Sequence, residues 1–375
     1  MDWMRYALEL AKKGQNSCPP NPMVGCVIIK NNKVIGQGFH QITGGPHAEI
    51  IALEQAKEHA LGADLYVTLE PCSHFGRTPP CVDAIIKANI KRVFVALKDA
   101  NPQVNSQGIK KLKEAGIDVN LGLYQEEAYK INEDFFYAMT HQRPFVIAKW
   151  AMSLDGKIAT AFGQSKYITS ENALTHAHGL RARVCAIMIG ANTLRLDKPE
   201  LNVRYGDKIS RQPRPIIIST QENLDLNFNI FKAERRPVII TSDKVSQIFL
   251  KSLAAKKIDH HVFKLHNRRF NMKEVLNFLR VNYELKSVLV EGGSVLLTAL
   301  HEEKLINQIY TYIAPTIMGG KKSLTPIVGK NLNNMNLMAK LHSEEVTYLD
   351  PDICFSAKTS ISPKNYNNFL ELQGS

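Results

Sequence analysis

Three residues of types that bind zinc, with one acidic residue beside them, stand in the first part of the chain. They are His47, Cys72 and Cys81, and Glu49 lies two positions after the histidine. One imidazole and two thiolates fill three positions of a tetrahedral zinc site and leave the fourth for water, whereas a structural site is usually closed by four protein ligands. Zinc lowers the pKa of bound water toward about 7, and a neighbouring carboxyl group can move a proton from that water to a leaving amine. These residues therefore predict hydrolytic deamination.

A purely structural zinc site is the alternative, and it would need a fourth ligand. The candidates are His74, in the loop after Cys72, and Cys26, in an apolar run over 24–29. Cys26 is predicted to be a core residue, because free cysteines are among the most buried residue types. A lone loop histidine is usually solvated, although His74 would also be placed to contact a substrate.

The spacing of the two cysteines connects the cluster to known enzymes. His-x-Glu followed by Pro-Cys and a later Cys resembles the zinc nucleobase deaminases, whose second half is usually Pro-Cys-x-x-Cys. Here residues 71–81 read Pro-Cys-Ser-His-Phe-Gly-Arg-Thr-Pro-Pro-Cys, which is similar to the motif of the bifunctional riboflavin-biosynthesis deaminase/reductases. The resemblance implies one Zn²⁺ per chain, a catalytic Glu49 and a small phosphorylated pyrimidine as the substrate. It also implies that Asn21 contacts the substrate, although Asn-Pro is equally an ordinary turn signal.

Segments in the second half resemble the reductase part of the same family in the expected order. They are Lys-x-x-x-Ser-Leu-Asp-Gly at 149–156, then 165–170, 180–182, 190–204 and 291–294. The resemblance implies a dihydrofolate-reductase-like fold that binds NADPH. The implied cofactor contacts are Ala151, Tyr167, Thr193, Asp197, Thr220, Gly293 and Ser294. The implied substrate contacts are Ser165, Arg181, Leu201, Arg204 and Glu291. Tyr167 stands where the family commonly has tryptophan, and Ser219-Thr220 stands where its strand more often ends in Asp-Ser.

The glycine pair Gly292-Gly293 also has a physical interpretation. It separates an apolar run at 287–290, predicted as a strand, from a predicted helix at 295–300. Backbone amides at such a turn and the N-terminus of the following helix can bind phosphate, and glycines let a diphosphate approach closely. The alternative is an ordinary turn. Arg181 and Arg204 have the same ambiguity, because forked guanidinium donors match phosphate oxygens but also form surface ion pairs.

The elements that must position these residues alternate between strands and helices. Strands are predicted at 25–29, 63–69 and 92–96, and helices at 47–59, 81–89, 109–116 and 125–139. This alternation predicts an α/β layered fold. The resemblance narrows it to a cytidine-deaminase-like α/β/α domain followed by a dihydrofolate-reductase-like α/β domain. A chain of 375 residues exceeds the size at which single cores stop growing. Since Pro144 disfavours helix in the residue before it, we expect domains at 1–143 and 144–375.

The composition of the chain bears on its cellular location and on its binding partners. Six cysteines, some of them assigned to zinc, and the absence of an apolar run long enough to span a bilayer predict a cytoplasmic protein without membrane partners. The net charge of +12 is dispersed along the chain and no nucleic-acid-binding motif accompanies it, so we expect no nucleic acid partner. The alternatives are a tRNA or nucleic-acid deaminase with a C-terminal binding domain, and a non-catalytic zinc protein. Resemblance to the family also implies a homo-oligomer.

Overall fold

The structure is a computed structural model that describes residues 2–75, 79–100, 106–165, 168–206, 209–233, 235–329 and 331–362. It contains two compact units, Met1–His141 and Gln142–Ser362. Both units combine helices with a sheet, so the predicted α/β class is confirmed. Within the described ranges, no helix combines the length and the apolar character that crossing a membrane would require.

The first unit is built on a five-stranded sheet, counted over the described residues, in the order β2-β1-β3-β4-β5. Its strands are β1 (Gly25–Lys30), β2 (Lys33–Phe39), β3 (Asp64–Val67), β4 (Arg92–Val95) and β5 (Asp118–Leu121). Its helices are α1 (Trp3–Lys12), α2 (Ala48–Ala56), α3 (Cys81–Lys87), α4 (Gln107–Glu114), α5 (Gln125–Ile131) and α6 (Glu133–His141). The pairs β1/β2 and β1/β3 are antiparallel, whereas β3, β4 and β5 run parallel. Buried apolar side chains cover both faces of the sheet, which gives the predicted layered arrangement.

Close packing of α2 on the sheet fixes the position of the predicted zinc site. Gly38 in β2 faces the first turn of α2, and a Cβ atom there would lie 2.5 Å from the carbonyl oxygen of Ala48. Only glycine allows this approach, because real Cβ atoms do not come so near a backbone oxygen. The start of α2, with His47 as its N-cap and Glu49 in its first turn, is thereby held against β2.

The predicted helix at 125–139 is wrong in one respect, because the structure has two helices there. The break falls at Asn132, which ends α5 with φ −124°. The side chain of Asn132 accepts a hydrogen bond from the backbone N–H of Met23 at 2.7 Å and donates to the Met23 carbonyl at 2.8 Å. This bidentate contact with a distant segment overrides the helical pattern, which is continuous across the break in the sequence.

The second unit has a nine-stranded sheet, again counted over the described residues, in the order β10-β9-β8-β7-β11-β6-β12-β14-β13. Its strands are β6 (Phe145–Ser153), β7 (Ala186–Gly190), β8 (Arg214–Ser219), β9 (Val238–Ser242), β10 (Asp259–Phe263), β11 (Ser287–Val290), β12 (Gln308–Ala314), β13 (Leu341–Leu349) and β14 (Asp352–Thr359). Its helices are α7 (Glu171–Arg183), α8 (Ala191–Asp197), α9 (Gln247–Ala255), α10 (Met272–Asn282) and α11 (Ser294–Glu302).

The strands from β10 to β12 are parallel, and β14 and β13 add antiparallel pairs at one edge. Most of the parallel strands are nearly continuous apolar runs because helices cover both faces of the sheet. Ligands of such sheets bind beyond the carboxyl ends of the strands. In this unit β6, β7 and β11 end at Ser153, Gly190 and Val290, where the predicted reductase segments lie.

Candidate active sites of the two units

Two helix N-termini and one loop bring the predicted zinc ligands together in the first unit. His47 is the N-cap of α2, Cys81 is the first residue of α3, and Cys72 follows β3 in the intervening loop. The prediction that Cys81 begins a helix is thus confirmed. The backbone N–H of Cys81 donates a hydrogen bond to the sulfur of Cys72 at 3.3 Å. A thiolate is favoured there because the N-terminus of a helix carries partial positive charge.

The three ligand atoms lie close enough together to share one metal ion, because all are within 4.8 Å of one another. Nδ1 of His47 lies 3.2 Å from Sγ of Cys81 and 3.5 Å from Sγ of Cys72. Zinc bonds of standard length at tetrahedral angles place ligand atoms roughly 3.5–3.8 Å apart. Among the described residues this group holds three ligands, and neither the exposed His74 nor the buried Cys26 belongs to it. The donor set therefore fits a zinc ion with a position left for another ligand.

The electrostatics of the cluster favour a cation. The pKa of the Cys72 thiol is lowered to about 4, first by a hydrogen bond from the Cys81 thiol and then by the His47 ring, against the effect of burial. The pKa of Cys81 is raised because its thiol donates to Cys72 and is buried. The pKa of His47 is raised by its hydrogen bond with Cys72. A divalent cation at this point would hold both sulfurs as thiolates.

Glu49 has the properties of a proton carrier at neutral pH. Its side chain is buried, with 3% of the residue exposed, and it lies beside the cluster in the first turn of α2. Burial raises the pKa of its carboxyl group to about 7, although the positive ring of His47 opposes this shift. A group with such a pKa can both take up and release a proton near pH 7, as general acid–base catalysis requires.

Asn21 is connected to the cluster through a histidine that the sequence analysis did not single out. Nδ2 of Asn21 donates a hydrogen bond to Nε2 of His40 at 3.0 Å, and the His40 ring packs edge-on against His47 with ring centroids 5.5 Å apart. Nδ1 of His40 donates to the Pro46 carbonyl oxygen at 3.2 Å, which sets the ring's tautomer. Burial lowers the pKa of His40 and keeps it neutral.

Glu70, the residue before Pro71-Cys72, is the second contributor that sequence reasoning missed. Its buried carboxylate accepts hydrogen bonds from four backbone N–H groups, those of Asp99, Ser106, Gly108 and Ile109, at 3.0–3.3 Å. Two of these groups belong to the first turn of α4. A Cβ atom at Gly108 would lie 2.1 Å from the Pro71 carbonyl oxygen, so the loop carrying Cys72 packs directly on this turn.

The second unit has a cavity of about 520 Å³ beyond the carboxyl ends of β6, β7 and β11. Most residues predicted for the reductase meet in it. Those that line it are Ala151, Ser165, Arg181, Thr193, Asp197, Leu201, Glu291, Gly293 and Ser294. Ser165 donates a hydrogen bond to the Asp197 carboxylate at 3.1 Å, so a predicted substrate contact and a predicted cofactor contact are joined there.

Three predicted contacts are missing from the lining of this cavity in the part of the chain that the structure describes. Thr220 follows β8, which is separated from β11 by β7, and its side chain is exposed. Arg204 is also exposed, and its Nη1 donates to Oδ1 of Asn202 at 2.7 Å. Tyr167 lies outside the described residues. The structure therefore brings together the central residues of the predicted site, and these three stay sequence predictions.

Charged groups at the base of the cavity compensate each other. Nε and Nη2 of Arg181 donate to the two carboxylate oxygens of Glu291 at 2.7 and 2.6 Å, and Nη1 donates to the Asn202 carbonyl at 2.9 Å. Burial alone would raise the pKa of Glu291, but Arg181 lowers it to about 2. The guanidinium that we expected on a phosphate is thus directed mainly at a carboxylate.

Lys149 lines the cavity, and Nε2 of His178 lies 3.3 Å from Nη1 of Arg181, which also lines it; the sequence analysis gave neither residue a role. Nζ of Lys149 lies 5.4 Å from the centroid of the Tyr312 ring. Burial lowers the pKa of Lys149, while Glu291 opposes the shift. Nδ1 of His178 accepts the backbone N–H of Arg204 at 3.0 Å. A lysine within an apolar strand was the available signal for Lys149.

The start of α11 fits a diphosphate. The helix begins at Ser294 directly after the glycine pair, and no side chain caps its N-terminus. Gly292, Gly293, Ser294 and Val295 line the cavity, so the uncapped end of the helix faces it. A Cβ atom at Gly293 would lie 3.2 Å from Oγ1 of Thr193, which shows how close the two segments are. Unpaired amides and the positive end of the helix dipole are suited to phosphate oxygens.

Comparison with protein families matches each unit to a different one. Residues 1–97 match the cytidine and deoxycytidylate deaminase zinc-binding region. Residues 144–355 match the RibD C-terminal domain. The two matches coincide with the zinc-ligand cluster and with the cavity of the second unit.

Relatives cover nearly the whole chain. The riboflavin biosynthesis protein RibD of Aquifex aeolicus is 41% identical over 94% of this chain and 96% of that protein. The RibD protein of Bacillus amyloliquefaciens is 39% identical over 95% of each. Among solved structures, Acinetobacter baumannii RibD has a TM-score of 0.88 at 36% identity, covering 96% of this chain and 98% of that one. The diaminohydroxyphosphoribosylaminopyrimidine deaminase/5-amino-6-(5-phosphoribosylamino)uracil reductase of Thermotoga maritima has a TM-score of 0.82 at 33% identity, covering 95% and 97%.

Proposed function

Since the chain belongs to the RibD family of bifunctional riboflavin-biosynthesis enzymes, with a zinc-dependent deaminase and an NADPH-dependent reductase in one chain, we propose its two substrates and the residues that act on them. The first unit removes the exocyclic amine of 2,5-diamino-6-(5-phosphoribosylamino)pyrimidin-4(3H)-one. The second unit reduces the ribosyl group of the product, 5-amino-6-(5-phosphoribosylamino)uracil, to a ribityl chain. The name of the Thermotoga relative, a diaminohydroxyphosphoribosylaminopyrimidine deaminase and 5-amino-6-(5-phosphoribosylamino)uracil reductase, supports these two substrates.

In the deaminase, His47, Cys72 and Cys81 hold the metal and Glu49 moves protons. Zinc, when bound, acts as a Lewis acid and lowers the pKa of a water molecule. Glu49 accepts a proton from the attacking water and returns it to the nitrogen that leaves as ammonia. Asn21, held by His40, contacts the pyrimidine edge. The observation that carries this assignment is a buried carboxyl group next to three zinc ligands.

In the reductase, the protein binds and orients the reactants. NADPH, when bound, supplies a hydride to the ribosyl carbon. Gly293, Ser294 and the start of α11 bind its diphosphate, and Ala151, Thr193 and Asp197 line the rest of its site. Ser165, Arg181, Leu201 and Glu291 hold the substrate, and the Arg181–Glu291 pair fixes the floor of the cavity. We keep Tyr167, Thr220 and Arg204 in the proposed contact set on the family resemblance alone.

We assign residues 1–143 to the deaminase domain and 144–375 to the reductase domain. The division of the structure at His141/Gln142 and the start of the RibD C-terminal match at residue 144 support this boundary. Limited proteolysis should cut first between α6 and β6 if the linker is the boundary. Early cleavage within either sheet would contradict it.

We also propose a homo-oligomer that pairs through β13. This strand is at the edge of the sheet, and Leu341, Val346 and Tyr348 on it are exposed, Tyr348 to 79%. An edge strand with exposed apolar side chains is a template for pairing with a second chain. Light scattering should give at least twice the 42.1 kDa chain mass. The double variant Val346→Lys, Tyr348→Lys should shift the mass to that of one chain, and an unchanged mass would move the interface elsewhere.

For the cellular setting we propose a cytoplasmic enzyme without a nucleic acid partner. None of the six cysteines, all within the described residues, forms a disulfide, as suits thiolate ligands in a reducing compartment. Cell fractionation tests the location. RNA affinity that falls steeply with salt would favour a polymer-binding role instead.

A coupled assay on the zinc-loaded chain tests the main proposal. Ammonia release and NADPH oxidation are followed separately after addition of the diaminopyrimidine ribosyl phosphate. Ammonia should appear without NADPH, and NADPH oxidation should follow only after deamination. NADPH oxidation before ammonia release would reverse the proposed order, and failure of both with this substrate would refute the assigned substrates.

The Glu49→Gln variant isolates the acid–base step. It should retain zinc and lose deamination by about 10²–10⁴-fold, while NADPH oxidation with the deaminated intermediate is unchanged. Glu54→Gln is the matched control, because Glu54 is on the same helix but exposed. Equal deamination rates in the two variants would remove Glu49 from the mechanism.

A further inference from the structure

The second unit has another cavity, of about 900 Å³, at the amino ends of β8, β9 and β10. In a parallel sheet these ends are opposite to the carboxyl ends, which carry the reductase site. The described residues of the two cavities share only Leu201 in their linings. The amino-end cavity, as we call it, is therefore largely separate from the catalytic one.

The lining of the amino-end cavity is strongly basic. Two acidic side chains, Glu200 and Asp259, contribute to it. Six basic side chains do so, namely Arg211, Arg214, Lys232, Arg235, Arg236 and Lys257. Both acids already have partners. Oδ2 of Asp259 lies 3.6 Å from Nη1 of Arg214, and Oε2 of Glu200 lies 3.8 Å from Nη1 of Arg204. Positive charge is thus in excess within one concave surface.

Arg235 is the residue of the lining on which the excess positive charge is least compensated. It is partly buried, and no hydrogen bond or ion pair joins it to another part of the chain that the structure describes. Burial, and after it the charges of Arg211 and Arg214, lower its pKa to about 10. Two other arginines of the cavity lining, Arg211 and Arg236, are held in place by backbone carbonyl oxygens. Arg211 donates to the carbonyls of Ala182 and Val184 at 3.0 and 2.8 Å, and Arg236 donates to the Lys256 carbonyl at 2.8 Å.

We propose that the amino-end cavity is a second binding site for a small phosphate-bearing molecule, with Arg235 as its central ligand. Forked guanidinium donors match phosphate oxygens, and a dianion compensates several cations at once, as a single carboxylate cannot. The concave shape favours a small ligand over a polymer. This site is additional to the proposed function, because the reductase places its phosphate ligands at the carboxyl ends of the strands.

Titration calorimetry with pyrophosphate on the full, zinc-loaded chain tests this proposal. Saturating NADP⁺ is present throughout to occupy the reductase cavity, and zinc content is measured afterwards to exclude chelation. We expect saturable binding by the unmodified chain and at least tenfold weaker binding by Arg235→Gln. Arg268→Gln is the matched control, because Arg268 is exposed and does not line the cavity. It should bind as the unmodified chain does.

A stability measurement separates loss of the site from loss of the fold. Without pyrophosphate, Arg235→Gln should unfold at the same temperature as the unmodified chain or above it, since the variant loses a like-charge contact. Added pyrophosphate should raise the unfolding temperature of the unmodified chain more than that of Arg235→Gln.

Several results would overturn the proposal. They are equal pyrophosphate affinity in Arg235→Gln and the unmodified chain, equal weakening in Arg268→Gln, and absence of saturable pyrophosphate binding by the unmodified chain. RNA binding that depends on Arg235 without any pyrophosphate affinity would also overturn it and assign the surface to a polymer. None of these results would affect ammonia release or NADPH oxidation, so this test is independent of the proposed function.

Discussion

The deaminase site and the reductase site differ in what their side chains contribute. Around His47, Cys72 and Cys81 the protein gathers reactive groups, and the pKa values of Glu49 and Cys72 are displaced toward values useful for proton transfer and metal binding. In the reductase cavity the buried charges of Arg181 and Glu291 form an ion pair with each other. Hydride chemistry belongs to a cofactor, so the second site needs shape and compensated charge more than reactive side chains.

The two sites also differ in the distances along the chain that they join. The proposed metal ligands are within 35 consecutive residues, and two of them are at helix starts. The reductase cavity draws on residues from Lys149 to Val328. A site of the first kind leaves a motif in the sequence, whereas a site of the second kind is defined mainly by the sheet that assembles it.

Zinc removal should separate the two activities completely. Dialysis against a chelator is expected to abolish ammonia release, because the Lewis acid that activates water is lost, and to leave NADPH oxidation of the deaminated intermediate intact. Restored zinc should restore ammonia release. Parallel loss of both activities would mean that the sites are not independent, contrary to the comparison above.

Breaking the Arg181–Glu291 pair should impair NADPH oxidation and leave ammonia release intact, the reverse of zinc removal. Glu291→Gln leaves a buried guanidinium without its counter-charge, so the free energy of unfolding of the second unit should fall by about 3 kcal/mol and NADPH oxidation should decline. Denaturant unfolding and the two activity assays measure this. The exposed pair Arg269–Glu302 supplies the control, because Glu302→Gln should cost under about 1 kcal/mol. Equal costs would show that burial of the first pair has no energetic consequence.

Glu70 offers a way to weaken the deaminase without touching a ligand. Glu70→Ala removes the acceptor for four backbone N–H groups, so the first unit should lose about 2 kcal/mol of stability and bind zinc more weakly. Glu70→Gln keeps one acceptor oxygen and should recover part of both quantities. NADPH oxidation serves as the internal reference. Unchanged zinc affinity in Glu70→Ala would limit Glu70 to a local structural role.

His178 predicts a smaller, pH-dependent effect in the second unit. Burial and the charges of Arg181 and Arg204 lower its pKa to about 4, below the value of about 6.5 in an unfolded chain. The unfolded state then binds more protons between these values, so the stability from neutral His178 is complete above pH 6.5 and declines as pH falls toward 4. The decline should be roughly 1–2 kcal/mol after allowance for solvent screening.

The difference between the unmodified chain and His178→Asn isolates this histidine, because asparagine retains an acceptor for the backbone N–H of Arg204. Stability curves for both proteins are measured from pH 4 to 8. A difference that does not change with pH would show that His178 does not titrate with unfolding.

Comparison of sequence and structure shows where pattern reasoning succeeds. The strand and helix starts that carry the zinc ligands were predictable because apolar periodicity, proline signals and the glycine-rich turn act over a few residues. The break at Asn132 was not predictable, because it depends on hydrogen bonds with Met23, 109 positions earlier. The ion pair of Arg181 was likewise not predictable, because its partner Glu291 is distant in the sequence. Arg181 was therefore expected to bind a phosphate.

The sequence by itself determined the α/β class, the family and the proposed ligand set with the acid beside it, because these depend on residue types at short spacings. Only the tertiary structure decided which charges compensate each other. It paired Arg181 with Glu291, directed the Glu70 carboxylate at the start of α4, and left Arg235 beside two like charges at the amino ends of the strands. Coulomb energies and pKa values depend on through-space distance and burial, and the fold sets both.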